Sequence, residues 1–357
     1  MISSSSPGKL YIAGEYAVVE KGYPSIIVAV DQFIKVSLEP AKHRGSIQAY
    51  DNSPISFDRI EERLVLDYRD NRLFYVINSI NIVETLAKEM GKKLKLYDLS
   101  IESELENIEG KKYGLGSSAA VTVSTIKVLC KFYDIEVTNK KLFKLAALVH
   151  LKVNSNGSCG DIAASVYGGW ISFKTFDKEW LREKIEELSI ETLIEEIWPY
   201  LEIKRLEPPE ELKLLIGWTG KPSSTTKLVD NVNENRKKNS EFYGEFLRKS
   251  KVCVNEMIKA FENKDILEIQ RQININRNLL INLGEKLDIK IETPKLTILC
   301  DIVFKFNGAA KSSGAGGGDC GIAILKNDID LEKLIYEWGQ EGISYLPLNV
   351  YTEGGRV

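Results

Sequence analysis

The chain has 357 residues, of which 43% are hydrophobic and 28% charged, with a formal net charge of −3. That length exceeds what one hydrophobic core usually serves and suits two domains, and the near-neutral balance provides no basic footprint for nucleic acid. Five scattered cysteines without CxxC spacing argue against a disulfide framework or a zinc site, and no N-terminal leader pattern or bilayer-length apolar run is present. A cytoplasmic protein in a reducing compartment, independent of membranes, is therefore expected.

In chain order, residues 10–13, 26–30 and 33–38 read as strands, the middle run being of the fully buried type. Short strand-like pieces continue over 45–70, broken at Asn52-Ser53-Pro54. Val76, Ile80, Val83 and Leu86-Ala87 recur at helical spacing within 73–90, and a strand over 96–101 leads into a polar stretch and a Gly-Ser loop. Helices are expected over 119–133, where apolar residues cover much of the circumference, over 140–152, and over the more polar 178–197. Pro208-Pro209 reads as a linker, which sets expected domains of 1–205 and 206–357. The second domain should open with a strand at 212–218 and continue through helices at 240–262 and 265–283. A glycine-rich loop at 311–321, a strand, a helix at 331–340 and a last strand should close it.

Four segments carry chemistry. In Lys111-Lys112-Tyr113-Gly114-Leu115-Gly116-Ser117-Ser118-Ala119-Ala120 the glycines let the backbone turn tightly, and the apolar helix that follows adds the positive end of its dipole. This is an anion cradle suited to nucleotide phosphates. A Walker A loop would need Lys-Ser/Thr at the helix start, which is missing here. The Gly114-to-Ala119 stretch also fits the GxGxxA dinucleotide fingerprint, with Asp134 downstream, but the residues before it are polar rather than a strand. The second segment, Lys311-Ser312-Ser313-Gly314-Ala315-Gly316-Gly317-Gly318-Asp319-Cys320-Gly321, has five glycines in eight positions. Such a loop is entropically costly and makes sense where backbone must approach a ligand. In the third, residues 7–19, Lys9 sits between a Pro-Gly turn and an apolar strand, a poor place for a merely solvated lysine. The fourth, residues 155–163, places Asp161 at the start of an apolar stretch, where its carboxylate could serve a reacting centre or simply cap a helix.

Together these segments resemble the three motifs of the GHMP kinase family, in order and across the whole chain: 7–19 the first, 114–120 the second, 311–321 the third. The nearest likeness is to bacterial members whose acceptor is 5-phosphomevalonate, carried also by Ser158-Cys159-Gly160-Asp161 and Gly217-Trp218-Thr219. The resemblance implies a two-domain α+β fold, with an N-terminal domain like ribosomal protein S5 domain 2 and a ferredoxin-like C-terminal domain. It implies an ATP-dependent kinase with Mg²⁺, its active site between the domains, acting as a monomer or homodimer. On matching positions it implies Lys9, Asp161 and Lys112 at the reacting centre. Lys112, Gly114, Leu115, Gly116, Ser117, Ser118 and Ala119 would hold ATP, and Ser118 and Asp161 the metal. Lys9, Ser158, Ser223, Ser224, Ser313, Gly314, Ala315 and Gly316 would hold the acceptor. Three departures are visible. Gly110 replaces a common proline. His150 stands where mevalonate kinases place a metal-binding glutamate. Tyr16 stands where those enzymes tend to have histidine, which argues against mevalonate itself as acceptor. The alternatives left open are another kinase of the family and a non-catalytic sensor of the same fold.

Overall fold

The computed structural model describes all residues except 51, 62, 68–72, 106–112, 154–155, 222–227, 229–231, 233–238 and 353–357. Lys112, Ser223 and Ser224, expected above to touch ligand, lie outside the described residues, as does Gly110.

Among the described residues, eight strands form the first sheet: β1 (Ile2–Ala13), β2 (Pro24–Pro40), β3 (Gly45–Ala49), β4 (Ile55–Ile60), β5 (Arg63–Leu66), β6 (Tyr97–Ser103), β7 (Trp170–Lys174) and β8 (Glu202–Leu206). The order is β5-β4-β3-β6-β2-β7-β8, with β1 paired antiparallel to β2. The separate runs expected at 26–30 and 33–38 are one long strand, because β2 is zipped along its length by β1, with β7 beside its first half and β6 beside its second. The register slips where Pro7 faces Phe33 but Gly8 faces Val30. Proline cannot donate to the ladder, and a slip at that point is the usual remedy. Lys9 follows immediately.

The helices α1 (Phe74–Glu89), α2 (Ser117–Phe132), α3 (Asn139–Val153) and α4 (Gly160–Tyr167) pack together, and α2 and α4 lie directly against β1 and β2. Every residue of α2 from Ala119 to Cys130 is buried, as its near-continuous apolar sequence requires. The helix expected over 178–197 is instead two, α5 (Lys178–Glu187) and α6 (Ile190–Glu195), because Ser189 caps a new start by accepting from Thr192 N–H.

The second sheet holds β9 (Leu212–Trp218), β10 (Ala309–Ser312), β11 (Cys320–Lys326) and β12 (Ser344–Leu346) in the order β10-β11-β9-β12, every pairing antiparallel. Pro208-Pro209 lies in the connection between β8 and β9. The helices α7 (Ser240–Glu262), α8 (Ile266–Leu287) and α9 (Pro294–Lys305) separate β9 from β10, and α10 (Leu331–Gln340) precedes β12. A central first strand, a β10–β11 hairpin and a final edge strand make the split β-α-β arrangement of ferredoxin-like folds, as expected. Helix α9 adds to the expected elements; Thr293 caps it and Pro294 stands in its first turn. One apolar cluster runs from Leu10 and Ile27 in the first sheet through Met257 and Phe261 of α7 to Ile216 and Ile322 in the second, so the two sheets share a core. No helix among the described residues is long and apolar enough to cross a membrane.

Candidate active site

Past the register slip, β1 carries Lys9 into a cleft between the two sheets. Its backbone N–H donates to Leu115 O at 2.8 Å, and its Nζ donates to Gly114 O at 3.2 Å, so strand and glycine loop are joined at one residue. The side chain is only 8% exposed. Burial lowers the ammonium's pKa, opposed mainly by the charges of Asp161 and Asp319.

The loop before α2 owes its glycines to close neighbours. Gly114 and Gly116 have φ of 80° and 83°, in the left-handed region. A Cβ on Gly116 would lie 3.0 Å from Lys9 Cε, and one on Gly114 would lie 2.6 Å from Asp319 Cγ of the second glycine-rich loop. No described side chain caps α2, and Gly116 O accepts from the N–H groups of Ala119 and Ala120, which leaves the N–H groups of Ser117 and Ser118 and the helix dipole at the cleft those two residues line. Ser118 is fixed from behind: its carbonyl accepts from Thr122 Oγ1 at 2.8 Å, and the Tyr75 hydroxyl bonds its side chain.

The start of α4 forms the opposite wall. Cys159, at φ 65°, is the N-cap, and Asp161 sits within the first turn. Asp161 is therefore not the N-cap residue, although its carboxylate still meets a first-turn N–H of the helix. Its Oδ1 accepts from Ile162 N–H at 3.0 Å, and the residue lines the cleft. Ser158 Oγ lies 2.9 Å from the Tyr11 hydroxyl and accepts from Gly160 N–H at 3.2 Å. His150, at the end of α3, meets Thr122 Oγ1 through Nε2 at 3.3 Å and packs 4.8 Å from the Tyr75 ring. Burial lowers its pKa, with Asp161 opposing, so the imidazole is neutral at pH 7.

The third wall comes from the second sheet. Lys311 on β10 forms a buried ion pair with Glu15 and also donates to Ser312 O at 2.6 Å. Ser313 Oγ donates to Tyr11 O at 2.9 Å, and Tyr16 donates its hydroxyl to Ala315 O at 2.5 Å. Asp319 O accepts from both the N–H and Oγ1 of Thr219 at 3.0 Å.

The result is one cavity of about 310 Å³ on which all four chemistry-bearing segments converge. Lys9, Gly114, Leu115, Gly116, Ser117 and Ser118 line it. So do Ser158, Asp161, Ser313, Gly314 and Ala315. Two expected residues stand back from it: Ala119 is fully buried in α2, and Gly316 is pressed so closely on Ile291 O that a Cβ would lie 2.3 Å away. Tyr11, Glu15, Tyr75 and Asp319, none of them expected at a site from sequence, also line the cavity. A lone acid among five glycines signals Asp319, and a phenol in an apolar strand signals Tyr11. Tyr75 has no local signal, since only the packing of α1 brings it to the loop. Backbone N–H groups, a helix N-terminus and a buried ammonium equip the cleft to hold polyanions and to offset their charge. Among the described residues no group of three or more His, Cys, Asp or Glu could hold a metal unaided.

Residues 75–169 match the GHMP kinases N terminal domain, and residues 257–344 match the GHMP kinases C terminal region. The chain is 36% identical to the phosphomevalonate kinase of Streptomyces sp. (strain CL190), over 98% of this chain and 97% of that one. A crystal structure of the Lin0012 protein from Listeria innocua superposes with a TM-score of 0.91 at 41% identity, covering 99% of this chain and 98% of that one. Streptococcus pneumoniae phosphomevalonate kinase, in complex with phosphomevalonate and AMPPNP, superposes with a TM-score of 0.86 at 29% identity, covering 98% and 100%. Full-length identity of this order, together with the three converging loops, settles the family: the chain belongs to the GHMP kinases.

Proposed function

We propose that this protein transfers the γ-phosphate of ATP to 5-phosphomevalonate, giving ADP and 5-diphosphomevalonate. The observation that carries the reading is likeness over essentially the whole chain to phosphomevalonate kinases, one of them holding phosphomevalonate and an ATP analogue. The domains are 1–205 and 206–357, with the reacting groups between them, and the location is the cytoplasm, in keeping with free cysteines throughout the described chain.

Phosphoryl transfer asks mainly for positioning and charge stabilisation. An oxygen of the acceptor's phosphate forms a bond to the γ-phosphorus while the bond to the β,γ-bridging oxygen breaks, and ADP leaves with that electron pair. A phosphate monoester has a second pKa of about 6, so the attacking group is largely dianionic at pH 7 and has little proton to lose. The obstacle is repulsion between two polyanions. Backbone N–H groups of Gly114–Ser118 and the open end of α2 cradle the ATP phosphates. Lys9 lies between that loop and Asp161 and offsets charge as acceptor and donor approach, with Lys112 assigned beside it from sequence alone. Ser158, Ser313, Gly314, Ala315 and Gly316 hold the acceptor, with Ser223 and Ser224 likewise assigned from sequence.

Ser118 and Asp161 present hydroxyl and carboxylate oxygens to the cleft, a donor set that fits Mg²⁺, an ion usually held by one or two protein ligands plus phosphates and water. When bound, Mg²⁺ would supply further neutralisation of the ATP phosphates. Asp161 serves to place Lys9 and the ion rather than as an obligatory base.

The test is an ADP-release assay with purified protein, ATP and Mg²⁺, offered mevalonate, 5-phosphomevalonate and 5-diphosphomevalonate in parallel. Turnover of 5-phosphomevalonate alone is expected. Turnover of mevalonate instead would overturn the acceptor assignment and the charge argument, and silence with all three would turn the search to other small alcohols and then to the sensor reading.

A further inference from the structure

Tyr11 joins the three groups assigned above to the acceptor. Its hydroxyl lies 2.9 Å from Ser158 Oγ, its ring centroid lies 5.6 Å from Lys9 Nζ, and its carbonyl accepts from Ser313 Oγ at 2.9 Å. The contact with Ser158 is built in closely. A Cβ on Gly160 would stand 2.4 Å from the Tyr11 oxygen, so only glycine at 160 admits the phenol there.

Counting hydrogen-bond capacity decides what this pair can do. A serine hydroxyl has one proton and two acceptor sites. Gly160 N–H occupies one acceptor site of Ser158 Oγ. Either hydroxyl of the Tyr11–Ser158 pair can donate by geometry, and the phenol, as the stronger acid of the two, is favoured as donor to the second site. The phenol keeps its proton across the neutral range, because burial and the nearby Asp161 raise its pKa. With both acceptor sites filled from behind, the Ser158 proton has one direction left, away from Tyr11 and Gly160 and into the cleft that Ser158 lines.

We propose that Tyr11 is a positioning residue for the acceptor: it locks the Ser158 hydroxyl as a donor aimed at an anionic oxygen of the bound substrate, carboxylate or phosphate. The inference rests on the proposed function, since it takes an anionic acceptor on this wall. Tyr11 itself acts through Ser158, and its ring and carbonyl keep Lys9 and Ser313 in register with that donor.

The test uses the full chain with ATP and 5-phosphomevalonate, comparing the unmodified protein, Tyr11→Phe, Ser158→Ala and the double variant. Tyr11→Phe keeps the ring beside Lys9 and the backbone bond to Ser313 and removes only the hydroxyl. Its KM for the acceptor should rise about five- to tenfold, the loss of roughly one oriented hydrogen bond. The KM for ATP and the melting temperature should stay at their unmodified values. Ser158→Ala should raise the acceptor KM at least as much, and the double variant should be no worse than Ser158→Ala, because the two hydroxyls act as one unit. An unchanged acceptor KM in Tyr11→Phe or in Ser158→Ala would overturn the proposal. Equal increases in both KM values, or additive effects in the double variant, would also overturn it. Failure of the unmodified protein to use 5-phosphomevalonate is a different result and would overturn the acceptor assignment itself.

Discussion

Replacing Lys311 by methionine would leave Glu15 buried beneath the third loop without its cation. The two side chains are 0% and 3% exposed, and Glu15 Oε2 has no described hydrogen-bond partner to fall back on. Glu15 follows β1 in the first sheet while Lys311 lies on β10 in the second, so the pair bridges the two halves of the cleft. Removing one member of a buried pair costs about 3–5 kcal/mol, because the remaining charge stays desolvated. At roughly 2.1 cal/mol/K of unfolding entropy per residue, the 357 residues give about 0.75 kcal/mol/K. The melting temperature should therefore fall by about 4–7 °C. Exchanging both members for apolar residues, Glu15→Leu with Lys311→Met, removes the stranded charge and should restore most of that loss. The assay is thermal unfolding at pH 7 of the unmodified protein, both single variants and the double. A shift under about 1 °C for Lys311→Met, or a double variant as unstable as the two single losses added, would refute the claim that the pair acts as a buried unit.

Lys9→Ala should lower turnover by more than about 100-fold, since it removes charge stabilisation at the centre of the cleft. Asp161→Asn should leave turnover measurable, because the acceptor arrives deprotonated; equal losses in steady-state rate would reinstate Asp161 as an obligatory base. Lys127 in α2 is 2% exposed, and burial, with a lesser contribution from Lys131, lowers its pKa to about 8 from 10.5. Below about pH 8 both folded and unfolded chains carry that proton, so the full penalty of burying the charge is present. Between about 8 and 10.5 only the unfolded chain binds it, so stability rises with pH. Lys127→Met should thus gain up to about 3 kcal/mol at pH 7, or about 4 °C in melting temperature. That gain should fade by about pH 10.5, and a gain that does not change with pH would refute the assignment.

Much of this molecule is written locally. The apolar circumference of 119–130, the alternation at 33–38 and the glycine-serine run at 114–118 follow from short-range rules of burial and backbone freedom, so helix, strand and glycine loop are legible without the fold. The same holds for Lys9 after its Pro-Gly turn and for Asp161 after Cys159-Gly160. Pairing and juxtaposition are not written that way. Only the β1–β2 ladder fuses 26–30 and 33–38 into one strand, and only packing sets Tyr75 of α1 against Ser118. Gly114 is legible as flexible, but the reason it must be glycine is Asp319, some two hundred residues away. Glu15 reads as an ordinary member of the turn after β1 until Lys311 is brought to it, and the Tyr11 phenol does not name its partner until Ser158 is. Sequence periodicity records which face of an element is buried. It does not record which distant polar group waits on that face, because such contacts depend on how the two sheets close on their shared core.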